Sequence, residues 1–86
     1  MDIEYAQFNN GYTFKFSGNR NVLLFDMGNL DKNVKFGKNI KVNDEIFYVT
    51  GIRGKYSVAS DKWFLSVSVN KDVSHIKKIK NAVFFN

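Results

Sequence analysis

An all-β domain, a small antiparallel β-barrel or meander with at most one short helix near residues 72–80, is what this sequence predicts. Three observations carry the prediction. Short runs of alternating side chains recur along the chain, corners rich in Asn, Asp and Gly separate them, and β-branched and aromatic residues fill them. The stretch from Gly37 to Asn70 shows all three. Ile40-Lys41-Val42, Ile46 to Gly51 and Trp63 to Val69 alternate, with Asn43-Asp44 and the Gly51-Ile52-Arg53-Gly54 corner between them.

Residues 1–86 suit a single domain, and a domain of that size buries only roughly 60% of the surface its unfolded chain exposes. With no cysteine, neither a disulfide framework nor a thiolate metal site can reinforce the core. Nine phenylalanines supply buried area instead. The acidic start Met1-Asp2-Ile3-Glu4-Tyr5 and a longest aliphatic run of Val22-Leu23-Leu24-Phe25 speak against a signal peptide and a membrane span. A reducing, cytoplasmic setting is expected. The absence of proline, the lysine bias and the many asparagines fit AT-rich coding, hence a low-GC bacterium or its phage.

In chain order, Ile3 to Phe8 alternate weakly and Asn9-Asn10-Gly11 tolerate positive φ, so a first hairpin is expected there. In its second arm Tyr12, Phe14 and Phe16 share the buried face, with Thr13 and Lys15 opposite. Ser17 to Asn21 is the next turn. Val22 to Phe25, apolar on both faces, reads as a central or covered strand. From Leu30 the lysines Lys32, Lys35, Lys38 and Lys41 recur at every third position. They fit the solvated side of two short edge strands, Val34-Lys35-Phe36 and Ile40-Lys41-Val42, where lysine blocks edge-to-edge pairing; a basic stripe is the alternative. Ile46 and Tyr48 oppose Phe47 and Val49, so the Ile46–Thr50 strand is the centre of a barrel or a self-association surface.

Gly37 to Val49 is similar to the strand, turn and strand of many small barrels, SH3-like, KOW and translation-factor barrels among them. Gly51-Ile52-Arg53-Gly54 has the GxxG spacing of KH domains, but strand-like runs flank it where that family has helices, so it reads as a glycine turn. Lys55 to Ala59 is the next arm. In the last long strand Trp63, Leu65, Val67 and Val69 form the core side, and Phe64, Ser66 and Ser68 face water. Asp72 can cap a short helix with Val73, Ile76 and Ile79 inward. Ala82-Val83-Phe84-Phe85 closes the chain as a strand.

One histidine and no cysteine leave no zinc site and no nucleophilic triad. His75 reads as a solvated residue. The carboxylates Asp26, Asp31, Asp44 and Asp61 fall in turns, where Asx hydrogen bonds account for them. No phosphate-binding glycine loop occurs, so no enzyme, cofactor or metal is expected.

Charge is unevenly placed: residues 1–30 sum to −1, 31–60 to +3 and 61–86 to +3, which gives the net +5. A basic, aromatic-rich β domain has the composition of OB-like and related nucleic-acid binders, in which lysines track phosphates and exposed rings stack on bases. The expected contacts with single-stranded or structured nucleic acid are Lys32, Lys35, Lys38, Lys41, Arg53, Lys55, Lys77, Lys78 and Lys80, with Tyr48, Tyr56 and Phe64 as stacking platforms. Two arginines against eleven lysines argue against strong sequence readout. The competing expectation is a protein-binding or assembly module, such as a phage virion component or an inhibitor of a host complex, using the Ile46–Thr50 strand.

Overall fold

The computed structural model describes residues 4–14, 20–28, 30 and 33–86. Among them the regular elements are all strands: β1 (Gln7–Phe8), β2 (Tyr12–Thr13), β3 (Val22–Asp26), β4 (Asn39–Val42), β5 (Glu45–Ser57), β6 (Lys62–Val69) and β7 (Ala82–Phe85). They pair antiparallel in the order β1-β7-β4-β5-β6-β3-β2. The all-β expectation stands, and the barrel is corrected to one sheet whose ends do not pair.

Strand β5 joins the two halves of that sheet. Its head pairs with β4, Ile46 opposite Lys41 and Phe47 opposite Ile40, and its remainder pairs with β6. Between Val49 and Gly51 the register shifts, so Thr50 is a β-bulge, the device that bends and twists a strand. The expected Gly51–Gly54 corner is therefore wrong: those residues lie inside β5, and the bulge before them redirects the chain. The Trp63 ring lies across the strand at Gly54, 3.5 Å from the place a Cβ would take, which is an ordinary contact distance.

The bend brings both halves around one core. Ile40, Val42, Phe47, Ala82 and Phe84 come from one half and Leu23, Phe25, Leu65, Val67 and Val69 from the other, all buried. Phe47 is 1% exposed and belongs to the core, while Ile46 and Tyr48 on the other face of its strand are exposed. On β3, Leu23 and Phe25 point inward, while Leu24 faces the other way and is still buried. Ala82 and Phe84 also point inward on β7, the expected last strand, which lies between β1 and β4.

The expected helix near residues 72–80 does not form. Asp72 Oδ1 accepts the Ser74 N–H at 2.7 Å in an Asx turn, and the Ile76 N–H reaches the Val73 carbonyl at 3.0 Å in one isolated turn. Val73, Ile76 and Ile79 are buried as expected, but a repeat of three drifts off one face of a 3.6-residue helix. Asn43, at φ 56° in the β4–β5 turn, ties this segment down. Its Oδ1 accepts the Lys80 N–H at 2.8 Å and its Nδ2 donates to the Lys78 carbonyl at 3.1 Å.

The expected first hairpin is also corrected. β1 pairs with β7 and β2 with β3, so two strands three residues apart lie at opposite edges of the sheet. Thr13 is the buried residue of β2 and Tyr12 is exposed, the reverse of the expected faces; Ile3, Lys15, Phe16 and most of the Ser17–Asn21 turn lie outside the described residues. Val34-Lys35-Phe36 is not a strand but a single parallel bridge of Lys35 to Tyr5. β4 is hydrogen-bonded on both sides, so Lys41 guards no edge.

Trp63 departs from its expected place as well. Leu65, Val67 and Val69 are buried, yet Trp63 on the same face is 58% exposed, because β6 begins beyond the core on the β5–β6 hairpin. There it tilts against Tyr56, ring centroids 5.4 Å apart.

Candidate nucleic-acid interface

Alternation along β5 and β6 separates the candidate residues into two faces. The outer face carries Arg53 opposite Ser66 and Lys55 opposite Phe64, and on β3 Leu24 lies opposite Ser66 and opposite Tyr12 of β2. The chain thus lays Tyr12, Leu24, Phe64, Arg53 and Lys55 on one surface. The rings cover Leu24, which explains why an outward leucine is buried. Tyr12 meets Phe64 edge to face at 6.1 Å, and the Lys55 ammonium stands 4.2 Å from the Phe14 ring centre.

Two adjoining hollows run along this face. One, of about 580 Å³, is lined by Tyr12, Thr13, Phe14, Leu24, Lys55 and Phe64 with the hydroxyls of Ser57 and Ser60. The other, of about 550 Å³, is lined by Arg53, Gly54, Lys55, Tyr56, Phe14 and Val22 with Ser66 and Ser68. Phe14 and Lys55 border both. No carboxylate lines either hollow, and among the described residues neither Arg53 nor Lys55 has an ion-pair partner. Asp26, across from Phe64, is engaged elsewhere: its Oδ1 accepts the Gly28 N–H at 2.8 Å and its Oδ2 lies 3.3 Å from Lys62 Nζ. These contacts hold its carboxyl below the ordinary aspartate value, the Gly28 bond most of all.

Tyr56 stands on the opposite face, paired with Trp63, and its hydroxyl donates to the Asp61 carboxylate, which raises its pKa. Tyr48 and Lys41 belong to the outer face of the other half, beside Ile46 and Val83. Lys35 stands 4.3 Å from the Tyr5 ring centre, and the Lys38 N–H donates to Asn86 Oδ1. Lys77, Lys78 and Lys80 follow the segment that Asn43 holds at the head of β5, whereas Arg53 and Lys55 lie toward its tail. Lys32 lies outside the described residues. The expected residues therefore do not form one patch: Arg53, Lys55 and Phe64 share the grooved face, and Tyr56, whose ring pairs with Trp63, borders its second hollow.

Sequence reasoning missed Tyr12 and Phe14 as surface rings. Their shared face was legible from alternation, but which face turned inward depended on β2 pairing with β3. His75 lies exposed with Nε2 2.8 Å from a Glu45 carboxylate oxygen, and no cluster of three or more metal-ligating side chains occurs among the described residues. Among the described residues no helix is long and apolar enough to cross a membrane. No family model, curated protein or solved structure matches this chain.

Proposed function

We propose that the protein binds single-stranded nucleic acid without acting on it chemically, with the strand laid along the outer face of β2, β3, β6 and the tail of β5. One observation carries this reading: the rings of Tyr12, Phe14 and Phe64 and the cations Arg53 and Lys55 border adjoining hollows with no carboxylate in their lining. Flat rings offer bases a stacking surface, cations meet phosphates, and serine hydroxyls donate to either phosphate or base edges. Recognition across a sheet face in this manner is OB-like. Arg53 carries the one guanidinium fork among these cations, so discrimination among sequences is weak.

The test is anisotropy of a labelled oligothymidine at low salt. Binding is expected, and Tyr12→Ala weakens it by about 5- to 150-fold, since one base stacked on a ring is worth ~1–3 kcal/mol. Replacing Lys77, Lys78 and Lys80 by Gln has a much smaller effect. Failure to bind any single strand, duplex or RNA sinks the reading.

A second reading has its own observation. Ile46 and Tyr48 are each more than half exposed on the outer face of the other half, opposite Lys41 and Asn39 of β4. Such a surface suits a protein partner. Ile46→Asp abolishing a protein complex while leaving oligothymidine binding intact would favour it.

A further inference from the structure

Among the described residues the tail of β5 pairs on one side only, with β6. Hydrogen-bond direction shows what the other side offers. Met27 N–H donates to the Trp63 carbonyl at 3.1 Å and Val69 N–H to the Asn21 carbonyl at 2.9 Å, so odd-numbered residues of β6 bond toward β3. Even-numbered ones therefore bond toward β5, where Ser68, Ser66, Phe64 and Lys62 face Gly51, Arg53, Lys55 and Ser57. The N–H and C=O groups of Ile52, Gly54 and Tyr56 are left pointing outward. β4 pairs only with the head of β5, and residues 51–56 are all exposed. Among the described residues no strand covers this edge.

The edge is complementary to itself. About Gly54 the chain reads alike in both directions: Arg53 and Lys55 are cations, Ile52 and Tyr56 are apolar, Gly51 and Ser57 are small. We infer that a second copy of this chain pairs antiparallel with β5 about Gly54, and that a bound polyanion drives this pairing. In that register Gly54 meets its own counterpart and Ile52 meets Tyr56 of the other copy, twice. Every outward N–H and C=O of the three residues then finds a partner across the two-fold axis. The same face gains Ile52 against Tyr56 beside Trp63, apolar side chains that a monomer leaves exposed.

The outer face explains why a ligand is needed. Arg53 falls opposite Lys55 of the other copy, twice, and like charges directly opposed are unfavourable. Alone, the edge is guarded by its own cations, a common defence against edge pairing. A phosphate backbone lying across both copies turns four crowded cations into its binding row, so pairing and nucleic-acid binding strengthen each other. This rests on the proposed function, extending it from one copy to two.

Sedimentation velocity and a cross-linking pair test it. Because the chain has no cysteine, Ile52→Cys and Tyr56→Cys variants can be mixed under mild oxidation. With oligothymidine long enough to span both copies, the mixture is expected to form a disulfide-linked heterodimer that neither variant forms alone, and the wild type sediments as a dimer. Arg53→Gln/Lys55→Gln removes the repulsion and is expected to self-associate about tenfold more tightly than wild type without any ligand. Monomeric protein on bound oligothymidine overturns the inference and spares the proposed function. If oligothymidine does not bind, the proposed function and the polyanion drive fall together, and the double glutamine variant decides the edge: a monomer there overturns the pairing too.

Discussion

The rings of Phe8 and Phe25 stack with centroids 4.6 Å apart and planes inclined by 23°. β1 and β3 lie near opposite ends of the sheet, so this contact fastens ends that share no hydrogen bonds. Gly11 sits at the crossing, where a Cβ would come 2.6 Å from a Phe25 ring carbon and 2.7 Å from the Leu24 carbonyl. The sheet is closed by packing where a barrel would use a ladder. Phe25→Ala should cost about 3–5 kcal/mol, a large part of the ~4–13 kcal/mol typical of a chain this long. Phe8→Ala and Phe25→Ala should be less than additive, with a coupling of about 0.5–1.5 kcal/mol in urea denaturation.

Of the described glycines, Gly37 lies closest to another stretch of backbone. A Cβ there would lie 2.3 Å from the Phe85 carbonyl oxygen and 2.7 Å from the Phe85 nitrogen, atoms that cannot swing aside as a side chain can. Gly37→Ala is expected to displace β7 and to destabilise by about 1–3 kcal/mol or more, the scale of overpacking. A fully folded variant with unchanged urea midpoint would show that this backbone yields easily.

Trp63 and Leu65 share a face of β6 and differ in burial, 58% against 2% exposed. Leu65→Ala should cost about 2–5 kcal/mol, whereas Trp63→Ala should cost no more than about 1 kcal/mol in the monomer. Tryptophan emission in the native state should be that of a partly hydrated indole. A blue-shifted, quencher-protected Trp63 would contradict the placement.

The strand faces were legible in the sequence wherever both neighbours of a strand also alternate. Leu65, Val67 and Val69 on β6 are inward as their spacing says, whereas the four apolar residues of β7 offer no alternation and the structure turns Ala82 and Phe84 inward. Trp63 was not, since alternation fixes a face but not where along a strand the core ends. Gly51 and Gly54 looked like a corner because two glycines usually mark one, yet the bulge falls at Thr50, which no local signal announces. β1 and β2 looked like a hairpin because Asn-Asn-Gly permits one; the stack of Phe8 on Phe25, distant in sequence, sends them apart instead. Of the candidate site, Arg53, Lys55 and Phe64 were legible as types. Their meeting with Tyr12 and Phe14 depended on strand order, which a single sequence does not encode locally.

Asp26 and Asp72 should shape the acid limb of stability. The Gly28 N–H and then Lys62 hold the Asp26 carboxyl below its ordinary value, and the Ser74 hydroxyl and N–H do the same for Asp72. A carboxyl whose folded pKa is depressed adds stability above its unfolded pKa, and that stability is lost as pH falls through the folded value. Stability should therefore decline below the ordinary aspartate range, and Asp26→Asn and Asp72→Asn should each flatten the decline. An acid limb unaltered in both variants would assign it to other carboxylates.

Salt dependence separates the grooved face from the scattered lysines. Each phosphate met by a cation releases condensed counterions, so the slope of log K against log salt counts contacts, at about 0.7 per phosphate on a single strand. Lys55 borders both hollows and Arg53 the second, so Arg53→Gln/Lys55→Gln should lower the magnitude of that slope by about 1.4 and weaken binding by a similar factor on every sequence. Lys35 stands over Tyr5, and Lys41 projects from the other half of the sheet, so neutralising them together should leave the slope nearly unchanged. The sequence alone does not separate these groups, since Lys35, Lys41 and the Lys77, Lys78 and Lys80 cluster are expected contacts alongside Arg53 and Lys55. A slope that responds to Lys35 and Lys41 and ignores Arg53 and Lys55 would move the bound strand off β5 and β6, and the stacking role of Tyr12 and Phe64 would go with it.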